Sequence, residues 1–95
     1  MINKYCIAEL LHSVHPRPGI VVQAWVRTRR DSRDFSFFEL NDGSCLANIQ
    51  VVADNGITGY ADIPRMTTGA AIVVSGDLIP SPGKGQQWEI RASAL

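Results

Sequence analysis

Cysteine is scarce in this sequence, since Cys6 and Cys45 are the only two among 95 residues. Neither belongs to a C-x-x-C pair, which argues against a zinc knuckle or a redox-active dithiol. We predict two small, buried or half-buried thiols in a reducing compartment. The spacing alone leaves a disulfide between them open.

Long apolar runs are also missing. Runs such as residues 20–22 are far too short to span a bilayer. The N-terminus lacks the charged segment, apolar run and small-residue cleavage site of a signal peptide. We therefore expect a cytoplasmic protein with no membrane partner, and 95 residues suit one domain.

The chain carries no excess charge of either sign, because 9 Lys and Arg balance 9 Asp and Glu. This balance argues against a protein that coats nucleic acid indiscriminately. Most of the arginines nevertheless fall in one short segment with a single acid, Asp31: Arg17, Arg27, Arg29, Arg30 and Arg33. Such a local positive field fits a small, specific footprint better than a broad polyanion groove.

Motifs of catalysis and cofactor binding are missing too. The sequence has no G-x-x-x-x-G-K-[ST] phosphate loop and no organised Ser/His/Asp or Cys/His arrangement. His12 and His15 flank the end of a predicted helix without a third ligand at a useful spacing, which argues against a metal site. We predict no catalytic residue, no metal and no cofactor in this chain.

Hydrophobic periodicity predicts one short helix followed by five strands. Residues 4–14 have apolar side chains at the i, i+3, i+4, i+7 spacing of an amphipathic helix: Ile7, Leu10, Leu11 and Val14. β-branched and alternating residues predict strands over residues 20–30, 35–40, 45–53, 67–79 and 87–95. A short helix is expected around residues 60–66, a tight hairpin turn at NDGS, residues 41–44, and a bend at Gly76.

This element order predicts an all-β fold, the five-stranded Greek-key barrel called the OB-fold. Residues 1–17 would form an N-terminal helical segment and residues 18–95 the barrel, together one domain. The competing five-stranded SH3-like barrel usually lacks a helical connection between its third and fourth strands. OB-folds bind ligands on the face of strands two and three and on two loops, here residues 31–34 and 80–86.

Side chains alternate across a strand, which divides the phenylalanines of the second predicted strand. The apolar set Ala47, Ile49 and Val51 marks the core face, and Phe38 and Leu40 belong with it. The outer face then carries aromatics beside polar side chains: Phe35, Phe37, Glu39, Asn48 and Gln50. For Phe35, near the strand start, displacement into the core or cover by the N-terminal helix is an equal alternative.

An outward aromatic beside an amide and several arginines indicates binding of single-stranded nucleic acid. A base can stack on Phe37, and the Gln50 amide offers a donor and an acceptor to a Watson–Crick edge. Arginines near the end of the first predicted strand would hold phosphate or stack on a base: Arg27, Arg29, Arg30 and Arg33. Asn48 lies on the same predicted face.

The C-terminal half adds two candidates. Trp88 and Ile90 alternate with Glu89, so we expect Trp88 in the core and Glu89 on the outside. Inside a nucleic-acid site Glu89 would accept a hydrogen bond from a base, and plain surface charge is the alternative. Lys84, in the glycine-rich loop, is either a contact to the RNA backbone or a solvated lysine.

Three stretches closely resemble the N-terminal anticodon-binding domain of bacterial-type asparaginyl-tRNA synthetases: VVQAWVRTRRDS, FSFFELNDGSCLANIQVV and TTGAAIVVSGDLIPSPGKGQQWEIRAS. The segments NDGS, IQVV and SPGKGQ favour the asparaginyl enzymes over their aspartyl and lysyl relatives, which share the fold. The resemblance covers residues 20–95. It implies an OB domain of a class II synthetase that reads the asparagine anticodon, GUU.

The resemblance also implies residue roles. Phe37 matches the aromatic on which the central anticodon uracil stacks, and Gln50 matches the glutamine that hydrogen-bonds this uracil. Arg30 matches an arginine that contacts the same base or its backbone, and Glu89 matches a glutamate that contacts a flanking anticodon base. The implied partners are tRNA, the catalytic domain of a longer synthetase and, since the family's synthetases are dimers, a second copy.

The chain departs from the family in two respects. The turn DSRD, residues 31–34, is shorter than the family's loop and places Asp34 near the expected phosphate path. The class II motifs that bind ATP are absent, so we expect either an excised domain or a free-standing paralogue that does not aminoacylate alone. Two other functions stay open: general single-strand binding, and protein–protein interaction through exposed aromatics.

Overall fold

The computed structural model describes residues 3–81 and 88–95. In chain order the elements are β1 (Asn3–Lys4), α1 (Ile7–Leu11), β2 (Arg17–Asp31), β3 (Phe35–Asn41), β4 (Ile49–Asp54), a 3-10 helix (Tyr60–Arg65), β5 (Ala71–Pro80) and β6 (Trp88–Ala94). The five predicted strands are confirmed as β2 to β6. Sequence analysis missed β1, because two residues are too few to show an alternating pattern.

The long strand β2 closes the sheet into a barrel. The sheet order is β1-β2-β3-β4-β6-β5, and β5 returns to pair with β2. Trp25 lies where β2 passes from one neighbour to the other, since it pairs with Asn41 of β3 and with Ala71 of β5. β4 and β6 run parallel, whereas the other pairs within the barrel are antiparallel. The fold is the predicted Greek-key OB barrel, and the SH3-like alternative is excluded.

Alternating side chains fill the barrel interior. Phe38 and Leu40 of β3 are fully buried against β4, as the sequence predicts. The other four strands of the barrel, β2, β4, β5 and β6, also contribute core residues: Val22, Val26, Ile49, Val51, Val74, Leu78 and Ile90. Trp88 is also buried as predicted, and its Nε1 donates a hydrogen bond to the Ser13 carbonyl oxygen at 3.0 Å. The 3-10 helix adds Ile63 to the same cluster.

Helix α1 is confirmed but shorter than predicted. Ile7 and Leu10 are buried, whereas Val14 lies beyond the end of the helix and is 90% exposed. Placing Val14 on the apolar face was wrong, because helical spacing has no meaning after the chain leaves the helix at His12. No helix among the described residues has the length and hydropathy of a membrane span.

The connection between β3 and β4 is longer than the predicted tight turn. β4 begins at Ile49, so residues 45–48 are not strand, and Ala47 is exposed rather than in the core. The Asn41 amide explains the difference, because it donates to the carbonyl oxygens of Cys45 and Ala47 at 3.1 and 3.2 Å. These bonds hold the backbone in a loop. The half-buried Cys45 and Cys6 are free thiols.

The predicted bend at Gly76 is present in β5. The register between β5 and β6 shifts between Ser75 and Gly76. A Cβ at position 76 would lie 2.2 Å from the Arg91 carbonyl oxygen, closer than any real Cβ contact. Glycine therefore permits the close approach of β6 at this point.

Candidate nucleic-acid interface

A β-bulge in β2 decides where its arginines point. Strict alternation turns Val22, Ala24 and Val26 to the core. If it continued, Thr28 and Arg30 would point inward as well. The register between β2 and β3 instead shifts between Val26 and Thr28, so Arg27 is an extra residue. Beyond the bulge, Arg30 stands outward beside the β3 residue Phe37.

Arg30 and Phe37 form the centre of the outer face. The Arg30 Cζ atom lies 5.3 Å from the centroid of the Phe37 ring, within the range of a cation–π contact. Phe37 is half-buried and Arg30 is exposed, so the ring keeps an accessible surface beside a guanidinium. This pair can hold a flat, electron-rich ligand with an attached phosphate.

The outer face is organised in two rows that cross the strands. Cross-strand partners point to the same side of a sheet. What we call the aromatic row consists of Arg30, Phe37, Val52 and Arg91. What we call the polar row lies two residues away along each strand, and it consists of Thr28, Glu39, Gln50 and Glu89. An aromatic surface flanked by guanidinium groups thus lies beside a line of hydrogen-bonding side chains.

A cleft of about 250 Å³ joins the two rows around Phe37. Its walls are Thr28, Arg30, Phe37, Phe38, Glu39 and Gln50. Gln50 is half-buried, and its amide has no hydrogen bond to the described residues. The cleft therefore combines a stacking surface with an available donor and acceptor, as the sequence pattern predicted for Phe37 and Gln50.

Glu89 lies next to Gln50 but is not solvent-facing as expected. It pairs with Gln50 of β4 and with Ile79 of β5, and the residue is only 6% exposed. The expectation failed because alternation gives the side of a residue but not its cover, and Glu89 lies in a cleft among side chains that include Phe35, Val52 and Ile79. In the described part of the chain no hydrogen bond or ion pair reaches the Glu89 carboxylate.

Phe35 extends the aromatic surface towards Glu89. It is 39% exposed, so the alternative of a core position is wrong. Its ring centroid lies 6.4 Å from that of Phe37, at an interplanar angle of 37°. A second cleft, of about 140 Å³, lies here between Phe35, Val52, Asp54, Ile79, Glu89 and Arg91.

Arg29 points away from this face. It pairs with Phe38, the inward residue of β3. Its Nη1 donates to the Ile63 carbonyl oxygen at 2.6 Å, and its Nε lies 3.5 Å from the Asp31 carboxylate. Arg29 thereby ties the end of β2 to the 3-10 helix, and the geometry favours this structural role over the predicted RNA contact.

Three further predicted residues lie around the rim. Arg27 and Asn48 share a separate cleft of about 450 Å³ with the 41–48 loop, at the far end of the face. Asn48 is exposed, and its Nδ2 donates to Glu39 Oε2 at 3.4 Å. Arg33 is exposed in the short turn after β2. Lys84 lies outside the described residues.

Two residues of the face were not among the sequence candidates. They are Glu39, which lies directly opposite the predicted residue Gln50, and Arg91, which lies opposite Val52 in the aromatic row. Alternation already placed Glu39 outward, two residues after Phe37, so the sequence could have identified it as a residue of this face. For Arg91 the decisive fact is the parallel pairing of β4 with β6, which alternation does not reveal.

Comparisons with known proteins agree with the barrel. Residues 20–95 match the family model of the OB-fold nucleic acid binding domain. An asparagine–tRNA ligase of Nitratidesulfovibrio vulgaris is 54% identical over 89 residues, which is 94% of this chain and 19% of the ligase. One from a Synechocystis species is 48% identical over 95 residues, or 99% of this chain and 21% of the ligase. The chain thus spans about a fifth of these relatives.

Solved structures show the same fold. The asparaginyl-tRNA synthetase of Pyrococcus horikoshii superposes with a TM-score of 0.79 at 16% identity, over 98% of this chain and 22% of the synthetase. An OBody bound to hen egg-white lysozyme superposes with a TM-score of 0.73 at 21% identity, over 98% of this chain and 90% of that one. Together with the family match, the barrel shows that this chain belongs to the OB-fold nucleic acid binding domains and resembles the OB domain of asparagine–tRNA ligases.

Proposed function

We propose that this chain is a tRNA anticodon-binding domain that recognises the asparagine anticodon. Residues 1–17 and 18–95 act as one unit, and the outer face of β2, β3 and β4 holds the anticodon loop. Joined to a catalytic domain, the unit supports the formation of asparaginyl-tRNA. The relatives in sequence are asparagine–tRNA ligases of which this chain matches a fifth, which supports such a division of labour.

The Arg30–Phe37 pair beside Gln50 is the observation that carries this proposal. A base that stacks on Phe37 has its edge within reach of the polar row and its phosphate near Arg30. The Gln50 amide can accept from the imino group of uracil and donate to a uracil carbonyl oxygen. The central base of the GUU anticodon fits this site.

The surrounding residues extend the proposed contact to the neighbouring nucleotides. Phe35 and Glu89 line the second cleft, where Glu89 accepts from a flanking anticodon base. Arg27, Arg33 and Asn48 contact the sugar–phosphate backbone at the rim, and Lys84 is a further candidate for such a contact. Glu89 suits a base rather than a phosphate, because a carboxylate repels phosphate but accepts from amino and imino groups.

Binding of anticodon stem-loops tests the proposal. A stem-loop with uracil in the centre of the anticodon should bind more tightly than the same stem-loop with cytosine there. Phe37→Ala should weaken the uracil complex by about 1–3 kcal/mol through lost stacking. Phe37→Leu is the control that keeps an apolar side chain and removes the ring. Equal affinity for both stem-loops would reject anticodon recognition, and an unchanged affinity of Phe37→Ala would reject stacking.

Protein binding is a second candidate function. Trp25 and Val73 are 52% and 49% exposed on the outer face where β2 pairs with β5. The likeness to an OBody bound to lysozyme shows that this fold can support a protein contact. A second copy of the chain or the catalytic domain of a longer chain is the proposed partner. Sedimentation with and without RNA distinguishes the two functions, since a monomer that binds RNA excludes a homodimer.

General single-strand binding is the third function to separate. It requires contacts that ignore base identity, mainly to phosphates, and therefore a steep dependence on salt. A salt series with homopolymers and with the stem-loop distinguishes it from anticodon recognition. Homopolymer binding as tight as stem-loop binding would favour the general binder.

A further inference from the structure

Glu39 is a carboxylate within the proposed uracil site, and no role is assigned to it above. It is half-buried on the outer face of β3, between Thr28 of β2 and Gln50 of β4. It lines the same cleft as Arg30 and Phe37. A carboxylate weakens the attraction of this cleft for phosphate, so its contribution must lie in hydrogen bonding.

The bonds of Glu39 leave one of its oxygen atoms available. Oε2 accepts from Asn48 Nδ2 at 3.4 Å, and Asn48 in turn accepts from Asn41 Nδ2 at 3.0 Å. This chain of amides anchors the carboxylate from the loop side. Oε1 has no bond to the described residues, and Arg30 stands outside ion-pair distance although it lines the same cleft.

The Gln50 amide needs a partner that sets its orientation. Its oxygen and nitrogen are nearly equal in shape, so the hydrogen bonds around the group decide which one faces a ligand. No described residue bonds to this amide. The orientation of the Gln50 amide matters for base selection, since the N3 position of uracil is a donor and that of cytosine is an acceptor.

We propose that Glu39 is a positioning residue that orients the Gln50 amide for uracil. Directly opposite residues of an antiparallel pair have Cβ atoms roughly 4.5–5.5 Å apart, within reach of a side-chain hydrogen bond. The described side chains do not make this bond, so it forms when the base binds, with Glu39 Oε1 accepting one N–H of Gln50 Nε2. Gln50 Oε1 then accepts from uracil N3–H, and the second Nε2 N–H donates to a uracil carbonyl oxygen. Cytosine in this site would place two acceptors against each other.

The other carboxylate next to Gln50 is less suited to this role. Glu89 flanks Gln50 from β6, but it lines the second cleft with Phe35 and Arg91. Glu39 shares the cleft of Gln50 itself. The inference rests on the proposed function, because it concerns the same uracil site.

Glu39→Gln tests the inference, because it keeps the shape and removes the charge. A neutral amide both donates and accepts, so it permits either orientation of Gln50. We expect cytosine binding to rise and the ratio of cytosine to uracil Kd to fall about tenfold, the worth of one charge-assisted hydrogen bond. Glu39→Asp should retain part of the preference. The side-chain amide resonances of Gln50 in the RNA complex should differ between the wild type and Glu39→Gln.

Asp62→Asn is the matched control, since Asp62 is an exposed acid on the 3-10 helix and away from this face. Four outcomes would overturn the inference. In the first, Glu39→Gln keeps the full uracil preference of the wild type. In the second, it binds cytosine more weakly, because Glu39 would then contact a base amino group itself. In the third, Glu89→Gln changes the ratio of cytosine to uracil Kd and Glu39→Gln does not. In the fourth, the wild type shows no preference for uracil, which would reject the proposed function as well.

Discussion

Arg29 and Arg30 are neighbours in sequence with opposite environments. Arg29 reaches the Ile63 carbonyl oxygen and Asp31, whereas Arg30 lies over Phe37 on the outer face. Successive residues of a strand face opposite sides, and the bulge at Arg27 decides that Arg30 rather than Arg29 is the outward one. One arginine therefore stabilises the barrel and the other is available to a ligand.

Alanine substitutions should separate these two roles. Arg29→Ala removes a hydrogen bond from a charged donor and should cost about 1.5–3 kcal/mol of unfolding free energy, several degrees in Tm. Arg30→Ala should leave Tm unchanged and weaken stem-loop binding about tenfold through the lost cation–π and phosphate contacts.

Thermal unfolding and a salt series of binding constants check this pair. If Arg30 contacts a phosphate, the slope of log K against log salt should fall by about 0.7 in Arg30→Ala. An Arg29→Ala variant with unchanged Tm, or an Arg30→Ala variant with full RNA affinity, would contradict the assignment.

Side-chain alternation predicted which residues point to the outer face, but not how deeply each of them is buried. The outward direction of Phe35 and Phe37 and the inward direction of Phe38 follow from a period of two. The position of Arg30 does not, because a bulge leaves no mark in apolar periodicity. The low exposure of Glu89 was also unpredictable, since it depends on side chains such as Phe35 and Ile79 that the fold brings beside it.

At the scale of elements, the 41–48 loop holds the N-terminus of α1. Asp42 Oδ2 accepts from the Ile7 backbone N–H at 2.9 Å, and Ser44 Oγ accepts from the Ala8 N–H at 3.0 Å. Burial raises the pKa of Asp42, but hydrogen bonds from the Ser44 side chain and from the Ile7 and Ser44 backbones outweigh it, so its pKa is lowered overall. A five-residue helix needs such tertiary support.

Asp42→Asn should destabilise the fold by about 1 kcal/mol, because the hydrogen bonds from Ile7 and Ser44 lose their charged acceptor. Because the folded state lowers the pKa, the Asp42 contribution is fully present above the ordinary value of 3.8 and is lost as pH falls through the folded-state pKa. The Tm difference between wild type and Asp42→Asn should therefore be constant from neutral pH to about pH 4 and shrink below it. A difference that grows on acidification would contradict this sign.

Gly76 offers a second test of element packing. Gly76→Ala places a Cβ against the backbone of β6, and neither strand can yield without losing its ladder. We expect a loss of about 1–3 kcal/mol in unfolding free energy, typical of overpacking. Gly56→Ala is the matched control, since no heavy atom lies within 4 Å of its added Cβ. Equal denaturation midpoints for the two variants would refute the close contact.

Element boundaries were predictable where pattern alone sets them. β3 and the 31–34 turn match the sequence closely, because alternation and polar residues mark their ends. The start of β4 and the end of α1 were wrong, since side-chain hydrogen bonds of Asn41 and the tertiary position of Ser13 decide them. The Trp88–Ser13 contact joins residues distant in sequence, and the Asn41 bonds span only four and six residues, but neither changes the apolar periodicity.

At the scale of the whole molecule, the barrel presents two different outer surfaces. The face of β2, β3 and β4 combines Phe37 with guanidinium and amide groups. The surface where β2 pairs with β5 exposes Trp25 and Val73. A neutral chain has no general attraction for polyanions, so the placement of its few arginines must determine where RNA binds.

Mapping the RNA contact by NMR is the most direct test of this account. The backbone and side-chain amide spectrum of the 15N-labelled chain would be recorded during titration with an asparagine anticodon stem-loop. The account predicts that the largest shifts occur at Arg30, Phe37 and Gln50, with little change at Trp25 and Val73. Shifts confined to Trp25 and Val73, or spread evenly over the surface, would contradict it.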